Sequence, residues 1–203
     1  MEDYYDGLYG NFNPEKVWFT ADTHFFSAKV LKYSKRPFES VQEMNAHLIR
    51  AWNETVPPDG IVFHLGDFSC GSANTWCGIR RKLNGIIYLI VGNHELEKIK
   101  AEYLKNFVHV SQQMVILVGG QRIVLNHYPL LCYVGSNRKT WQLFGHVHSG
   151  PNSTKGYDLP RLVHLMPRQY DVGVDNNEFR PVSFSEVKAK IEAQCLAAKG
   201  DNK

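Results

Sequence analysis

Apolar residues in this chain follow two spacings: short continuous runs, and stretches where they recur every three or four positions. The first suits buried strands and the second amphipathic helices. Val17 to Thr20 (VWFT) reads as a strand. Ser40 and Glu43 form a capping box ahead of Val41, Met44, Leu48 and Trp52, which share a helical face ended by Pro57 and Pro58. Ile61 to Leu65 (IVFHL) is a second strand. A helix from about Asn74 to Leu83, with Trp76, Ile79 and Leu83 on one face and Gly85 as its stop, leads into the strand Ile86 to Val91 and makes a βαβ unit. Leu96, Ile99 and Tyr103 mark a short third helix.

Consecutive strands follow. Met114 to Val118 and Arg122 to Leu125 flank Gly119-Gly120 as a hairpin, and Trp141 to Phe144 and Tyr170 to Val174 are further strands. Ser183 and Glu186 cap a last helix carrying Val187, Ile191, Cys195 and Ala198. Alternating β and α, then β-rich chain with a closing helix, predicts an α/β sandwich of mixed sheets with helices outside. No linker interrupts the 203 residues, so 1–203 reads as one domain.

The pattern also places chemistry. The strand in Ile86 to Glu95 (IIYLIVGNHE) stops at Gly92 and then presents Asn93, His94 and Glu95. Four other strand ends carry similar cargo: Asp22 and His24, Asp67, His127, and His146 with His148. One sheet edge gathers them all. In extended backbone, side chains two apart point the same way, so Asp22 with His24 and His146 with His148 each converge. Imidazoles mixed with carboxylate and amide oxygens suit two divalent cations of the manganese, iron, zinc or nickel kind, manganese first, rather than calcium or magnesium. Asp67, a carboxylate midway in ligand order, is the candidate bridge. Two cations about 3.5–4 Å apart neutralise a phosphate and acidify a shared water. His94, next to a ligand and of a residue type that titrates near neutrality, is the candidate acid for the leaving oxygen.

With these residues in hand, the chain resembles the calcineurin-like metallophosphoesterases. The motifs are D-T-H at Asp22 to His24, G-D-F at Gly66 to Phe68, G-N-H-E at Gly92 to Glu95, N-H-Y-P at Asn126 to Pro129 and G-H-V-H at Gly145 to His148. The resemblance implies a four-layer double β-sandwich, two mixed sheets flanked by helices. It implies one metal on Asp22, His24, Asp67 and His148, and another on Asp67, Asn93, His127 and His146, with His94 catalytic. Arg36-Pro37-Phe38, Met44-Asn45, Trp52-Asn53 and His64 to Phe68 are similar to a compact bacterial and phage branch. That branch commonly has Gly-His after D-T-H-F, then Asn shortly after, where this chain has Phe26, Ser27 and Lys29. The G-D-x-V-D-R-G run of protein phosphatases is replaced by Gly66-Asp67-Phe68-Ser69-Cys70-Gly71, which ranks phosphoprotein substrates low.

The function expected is therefore a dinuclear phosphohydrolase acting on a small or nucleotide-like phosphodiester or phosphomonoester, the diester preferred. Arg36, from the branch resemblance, and Arg138 and Lys139, from their nearness in sequence to the ligands, are candidates for gripping substrate. His47, His64, His109 and His164 read as structural or surface residues, with His64 a candidate support for Asp67. Tyr4, Tyr5 and Tyr9 read as packing or tail residues, and Arg80, Arg81 and Lys82 as a solvated face. A net charge of +3 gives a nuclease on polymer strands little support. A scaffold module is the other alternative, but no ligand is missing. No apolar run is long enough for a bilayer, and the N-terminus has no secretory pattern. Cys70, Cys77, Cys132 and Cys195 fit neither a zinc spacing nor a disulfide framework, which points to the cytoplasm.

Overall fold

The structure, a computed structural model, describes residues 9–96, 100–105, 107–151 and 159–200. Tyr4, Tyr5 and Ile99 lie outside them. Strands β1 (Gly10–Phe12), β2 (Val17–Thr20), β3 (Ile61–His64), β4 (Ile86–Ile90) and β5 (His109–Ser111) precede β6 (Gln113–Val118), β7 (Gln121–Asn126), β8 (Trp141–Phe144), β9 (Gln169–Asp171) and β10 (Val182–Ser183). The helices are α1 (Ala28–Tyr33), α2 (Val41–Thr55), α3 (Ala73–Arg80), α4 (Ala101–Leu104) and α5 (Phe184–Gly200).

Two mixed five-stranded sheets result. One has the order β10-β2-β3-β4-β5, the other β1-β6-β7-β8-β9. In the first, β2, β3, β4 and β5 are parallel and β10 runs against β2. In the second, β7, β8 and β9 are parallel, and β6 pairs antiparallel with β7 through the expected Gly119-Gly120 hairpin. Val17, Phe19, Phe63 and Leu65 from one sheet meet Ile116, Ile123, Leu125 and Leu143 from the other in a single apolar interior. On the outer face of the first sheet, Val62, Ile87 and Leu89 pack against Met44, Leu48 and Trp52 of α2 and Trp76 and Ile79 of α3.

Local chemistry explains the element ends. The Ser40 hydroxyl accepts from the Glu43 N–H at 3.1 Å, and α2 stops just before Pro57. At α5, Ser183 Oγ accepts from the Glu186 N–H at 3.2 Å while Glu186 accepts from the Ser183 N–H at 2.8 Å. The α3 helix stops at Arg80, short of the expected Leu83. The Arg80 guanidinium folds onto the Leu83 and Gly85 carbonyls at 2.9 and 2.7 Å, so the chain turns early toward β4. The last expected strand is also shorter, ending at Asp171 rather than Val174, because residues 174–176 coil into a 3-10 turn. Periodicity did not show β1, β5 and α1, since three to six residues are too few to display it. Among the described residues, no helix is long and apolar enough to cross a membrane.

Burial alone would raise the Glu186 carboxyl, but its bonds to Arg180 and Ser183 outweigh this and hold it at about 2, against an ordinary 4.5. A depressed carboxyl stabilises the fold above its unfolded pKa and loses that contribution as pH falls toward the folded one. Glu186→Gln should therefore lower the urea midpoint at pH 6, by no more than about 1 kcal/mol for a part-exposed pair. The gap from the parent should shrink between pH 4.5 and 2.

Candidate metal centre

The candidate residues lie where the parallel strands of both sheets end. β2, β3 and β4 deliver Asp22, Asp67 and Asn93, and β7 and β8 deliver His127 and His146. The carboxyl ends of parallel strands are where α/β sheets offer unpaired backbone and open space. The two rims are joined directly. The Asp22 and His24 N–H groups donate to the Gly66 and Asp67 carbonyls at 3.0 and 2.9 Å, and the His146 N–H donates to Asp22 Oδ2 at 2.8 Å.

Asp22 and His24 converge, but not by strand pleat as expected, whereas His146 and His148 part, His148 toward Asp22 and His24 and His146 toward Asn93. Asp22, His24, Asp67, His146 and His148 all have left-handed backbone, with φ of 56°, 47°, 57°, 72° and 48°. Each such residue costs roughly 1 kcal/mol or more, strain that the surrounding structure must impose. A tight left-handed turn at every second residue, rather than an extended strand, is what brings the His24 and His148 rings to 5.2 Å, nearly parallel. Two glycines are required by close approach: a Cβ on Gly92 would meet Asp67 Oδ1 at 2.5 Å, and one on Gly145 would meet Asp22 Oδ2 at 2.5 Å.

Two groups of donors result, with Asp67 between them. Ligand atoms of Asp22, His24 and His148 lie within 4.8 Å of one another. On the other side, the Asn93 amide oxygen is 3.0 Å from both His127 Nε2 and His146 Nδ1. One Asp67 oxygen is 3.3 Å from His24 Nε2, and the other is 3.7 Å from His127 Nε2. His94 stands at the mouth, its side chain 48% exposed and its Nε2 3.8 Å from Asp67 Oδ2.

Protons are arranged to leave lone pairs at the centre. His127 Nδ1 lies 2.7 Å from the Leu65 carbonyl, which can only accept, so Nε2 is left bare. Burial pushes the His127 imidazole down to about 4, so it is neutral near pH 7. A bare Nε2 facing the Asn93 oxygen is repulsive unless a cation lies between. His148 Nδ1 donates to Asp175 at 2.7 Å, which turns its Nε2 inward. Asp22 Oδ1 is buried without a hydrogen-bond partner, and burial, with Asp67, Asp171 and Asp175 near, pushes its carboxyl well above the usual range. Orphan lone pairs, neutral imidazoles and crowded carboxylates together fit divalent metal binding.

Several supporting residues carried no expected role. Glu95 is fully buried, and its carboxylate accepts from the backbone N–H groups of Asp67 and Gly92, both at 2.7 Å, and of Phe68 at 2.8 Å. It stood in the G-N-H-E motif, so the signal was present. Asp175 holds His148. Asp171 accepts from Ser149 and from the Gly173 N–H. His64, by contrast, was a candidate support for Asp67; buried, it lies 2.9 Å from Thr23 Oγ1, which donates to the Phe68 carbonyl, so it supports the G-D-F loop through Thr23.

Three candidate substrate residues are corrected. Arg36 is 4% exposed and spent on both Asp175 oxygens and on the Asp22 and Thr23 carbonyls, so it holds the site from behind. Arg138 and Lys139 precede β8, whereas the site follows it. They lie by Gln121, where β7 begins, at the far end of that sheet. Nearness in sequence misled because a parallel strand carries the chain across the sheet. Phe26 has φ 63°, which explains why glycine is common there: the position asks for left-handed backbone, and phenylalanine adopts it at a cost. Ser27 caps α1 by accepting from the Val30 N–H. His47 lies on α2 beside Phe38, His109 against Tyr9, and His164 in the cleft next to His146.

The sequence pattern of the calcineurin-like phosphoesterases matches residues 15–182. The chain belongs to that family. It is a family of metal-dependent phosphoesterases, so the centre is that of a metal-binding hydrolase of phosphate esters. The chain is 32% identical to an uncharacterised protein, MJ1445, of Methanocaldococcus jannaschii, over 87% of this chain and 92% of that one. It is 30% identical to the gene 66 protein of mycobacterium phage L5, over 78% and 86%. The fold is shared with a crystal structure of a protein of unknown function, AQ665, from Aquifex aeolicus. There the TM-score is 0.66 and the identity 23%, over 85% of this chain and 97% of that one.

Glu95→Gln tests the buried strut. An amide offers one accepting oxygen instead of two, which strands at least one of three buried N–H groups. Urea unfolding should show a loss of about 1–3 kcal/mol.

Proposed function

We propose that this calcineurin-like phosphoesterase is a dinuclear metal-dependent phosphohydrolase, with a diester as its preferred substrate. The observation that carries the reading is Asp67, whose two oxygens face different histidines, His24 on one side and His127 on the other. Asp22, His24 and His148 hold one cation with it, and Asn93, His127 and His146 the other. Manganese is the first choice for this donor set, with iron, nickel or zinc as substitutes. When bound, the pair supplies neutralisation of phosphate charge and a water acidified toward neutrality.

The chain's own part is positioning and proton delivery. A water loses one proton to solvent, and its oxygen forms the new bond to phosphorus while the bond to the leaving oxygen breaks. His94 Nε2 gives that oxygen its proton and ends neutral. Its exposed position beside Asp67 suits a group that reaches substrate. None of the four cysteines forms a disulfide, which supports a reducing cytoplasm as the setting. A nuclease on polymer strands ranks second, because a net charge of +3 provides little of the phosphate-binding surface such a substrate rewards.

Bis-(nitrophenyl) phosphate and nitrophenyl phosphate offered to chelator-stripped protein, with manganese, nickel, zinc or magnesium restored singly, test the reading. Manganese or nickel should restore turnover, faster on the diester. Bound metal with no turnover on either ester would move the assignment to a scaffold. Asp67→Ala should lose metal and activity together. His94→Ala should keep both metals and lose about 10²–10⁴-fold in turnover, most on esters with poor leaving groups. Unchanged turnover of an alkyl diester would sink its role as acid. Asp175→Asn should weaken metal binding about 10- to 100-fold by calorimetry, since it orients His148 without reaching the cations itself.

A further inference from the structure

A cleft of about 660 Å³ opens directly beside the metal centre and shares His146 with it. That volume is within the usual range for sites that enclose a small organic ligand. One wall is Tyr128, 40% exposed, whose ring lies 4.7 Å from His146 and 4.9 Å from His127. The ring's backbone is fixed on both sides. The Tyr128 N–H donates to Asn126 Oδ1 at 2.9 Å, and its carbonyl accepts from Gln142 Nε2 at 2.8 Å. Leu131, Leu162 and Leu165 supply apolar surface, with Leu131 67% exposed, and Arg161 and His164 also line the cleft.

We propose that this cleft is the subsite for one arm of the substrate ester, and that the arm is a nucleoside whose base stacks on Tyr128. The inference rests on the phosphohydrolase reading, because it takes the phosphate to lie at His146. Two features select a flat heteroaromatic group. A half-exposed aromatic ring lines the cleft, and stacking on such a ring tolerates any base. The leucines reward an apolar partner over a hydrated sugar or a charged peptide side chain. A phosphate at the histidines brings its ester arm within reach of this wall, since the Tyr128 ring lies 4.7 Å from His146 and 4.9 Å from His127.

The test is calorimetric titration of the manganese-loaded full chain with a nucleoside 5′-monophosphate and with ribose 5-phosphate. These share the sugar phosphate and differ in the base. The nucleotide should bind about ten- to a hundredfold tighter. Tyr128→Ala should erase most of that preference, and Tyr128→Phe should keep it. Leu131→Asp, further from the ligands, should also reduce it, which guards against a Tyr128 variant that disturbs the metals. Equal binding of the two ligands would overturn the subsite and leave the phosphohydrolase standing. A preference set by added phosphates rather than by the base, seen with ribose 1,5-bisphosphate, would also overturn it. A base preference in a protein that hydrolyses no ester would retain the subsite and defeat the hydrolase reading instead.

Discussion

Three backbone N–H groups, from Asp67, Phe68 and Gly92, converge on the one buried carboxylate of Glu95. Two of these come from the loop after β3 and one from the loop after β4, so a single side chain ties the two central turns of the rim. Without such a partner each buried N–H would go unpaired at a cost of about 1–3 kcal/mol, and the left-handed backbone of Asp67 would lose one of the contacts that hold it. The strut is itself under stress. Burial and the nearby Asp67 charge push the Glu95 carboxyl up to about 7, so the rim is held by a carboxylate that is costly to ionise. Positive charge placed between the carboxylates would relieve this strain.

The same trade appears around the whole centre. Five candidate ligands sit in left-handed backbone, and their loops approach so closely that glycine is the only residue that fits at 92 and 145. Strain of this kind survives only where the rest of the fold over-determines it. Here the apolar interior between the sheets does so, because β2, β3 and β4 on one side and β7, β8 and β9 on the other are fixed in register well before their ends.

Much of this was legible in the sequence. Apolar runs ending in Asp22, Asp67, Asn93, His127 and His146 located the rim, because strand length and polar termini are both local properties. Capping at Ser40 and Ser183 was legible for the same reason. Properties that depend on distant partners were not. Arg36 looked like a cation for substrate until its bonds to Asp175, 139 residues away, showed it facing inward. Arg138 and Lys139 looked close to the ligands because sequence distance does not record that β8 carries the chain from one end of the sheet to the other. The D-x-H pair was found for an incomplete reason: the spacing of two was informative, but left-handed turns, which sequence periodicity does not display, produce the convergence. The H-x-H pair was expected to meet at one point, and instead its two rings divide between the two donor groups.

The layer behind the ligands connects these points. Arg36 is bonded at once to Asp175 and to the carbonyls of Asp22 and Thr23, so it couples His148, through Asp175, to the strained turn that carries Asp22 and His24. Burial would raise the Asp175 carboxyl, but His148 and Arg36 hold it down to about 2, so it remains an anion. An anion there fixes the His148 proton on Nδ1 and directs the bare Nε2 inward, while the guanidinium neutralises the charge that would otherwise repel Asp22. The buried arginine thus serves both the geometry and the charge of the centre: it fixes the turn that carries Asp22 and His24, and it offsets part of the repulsion among Asp22, Asp67, Asp171 and Asp175.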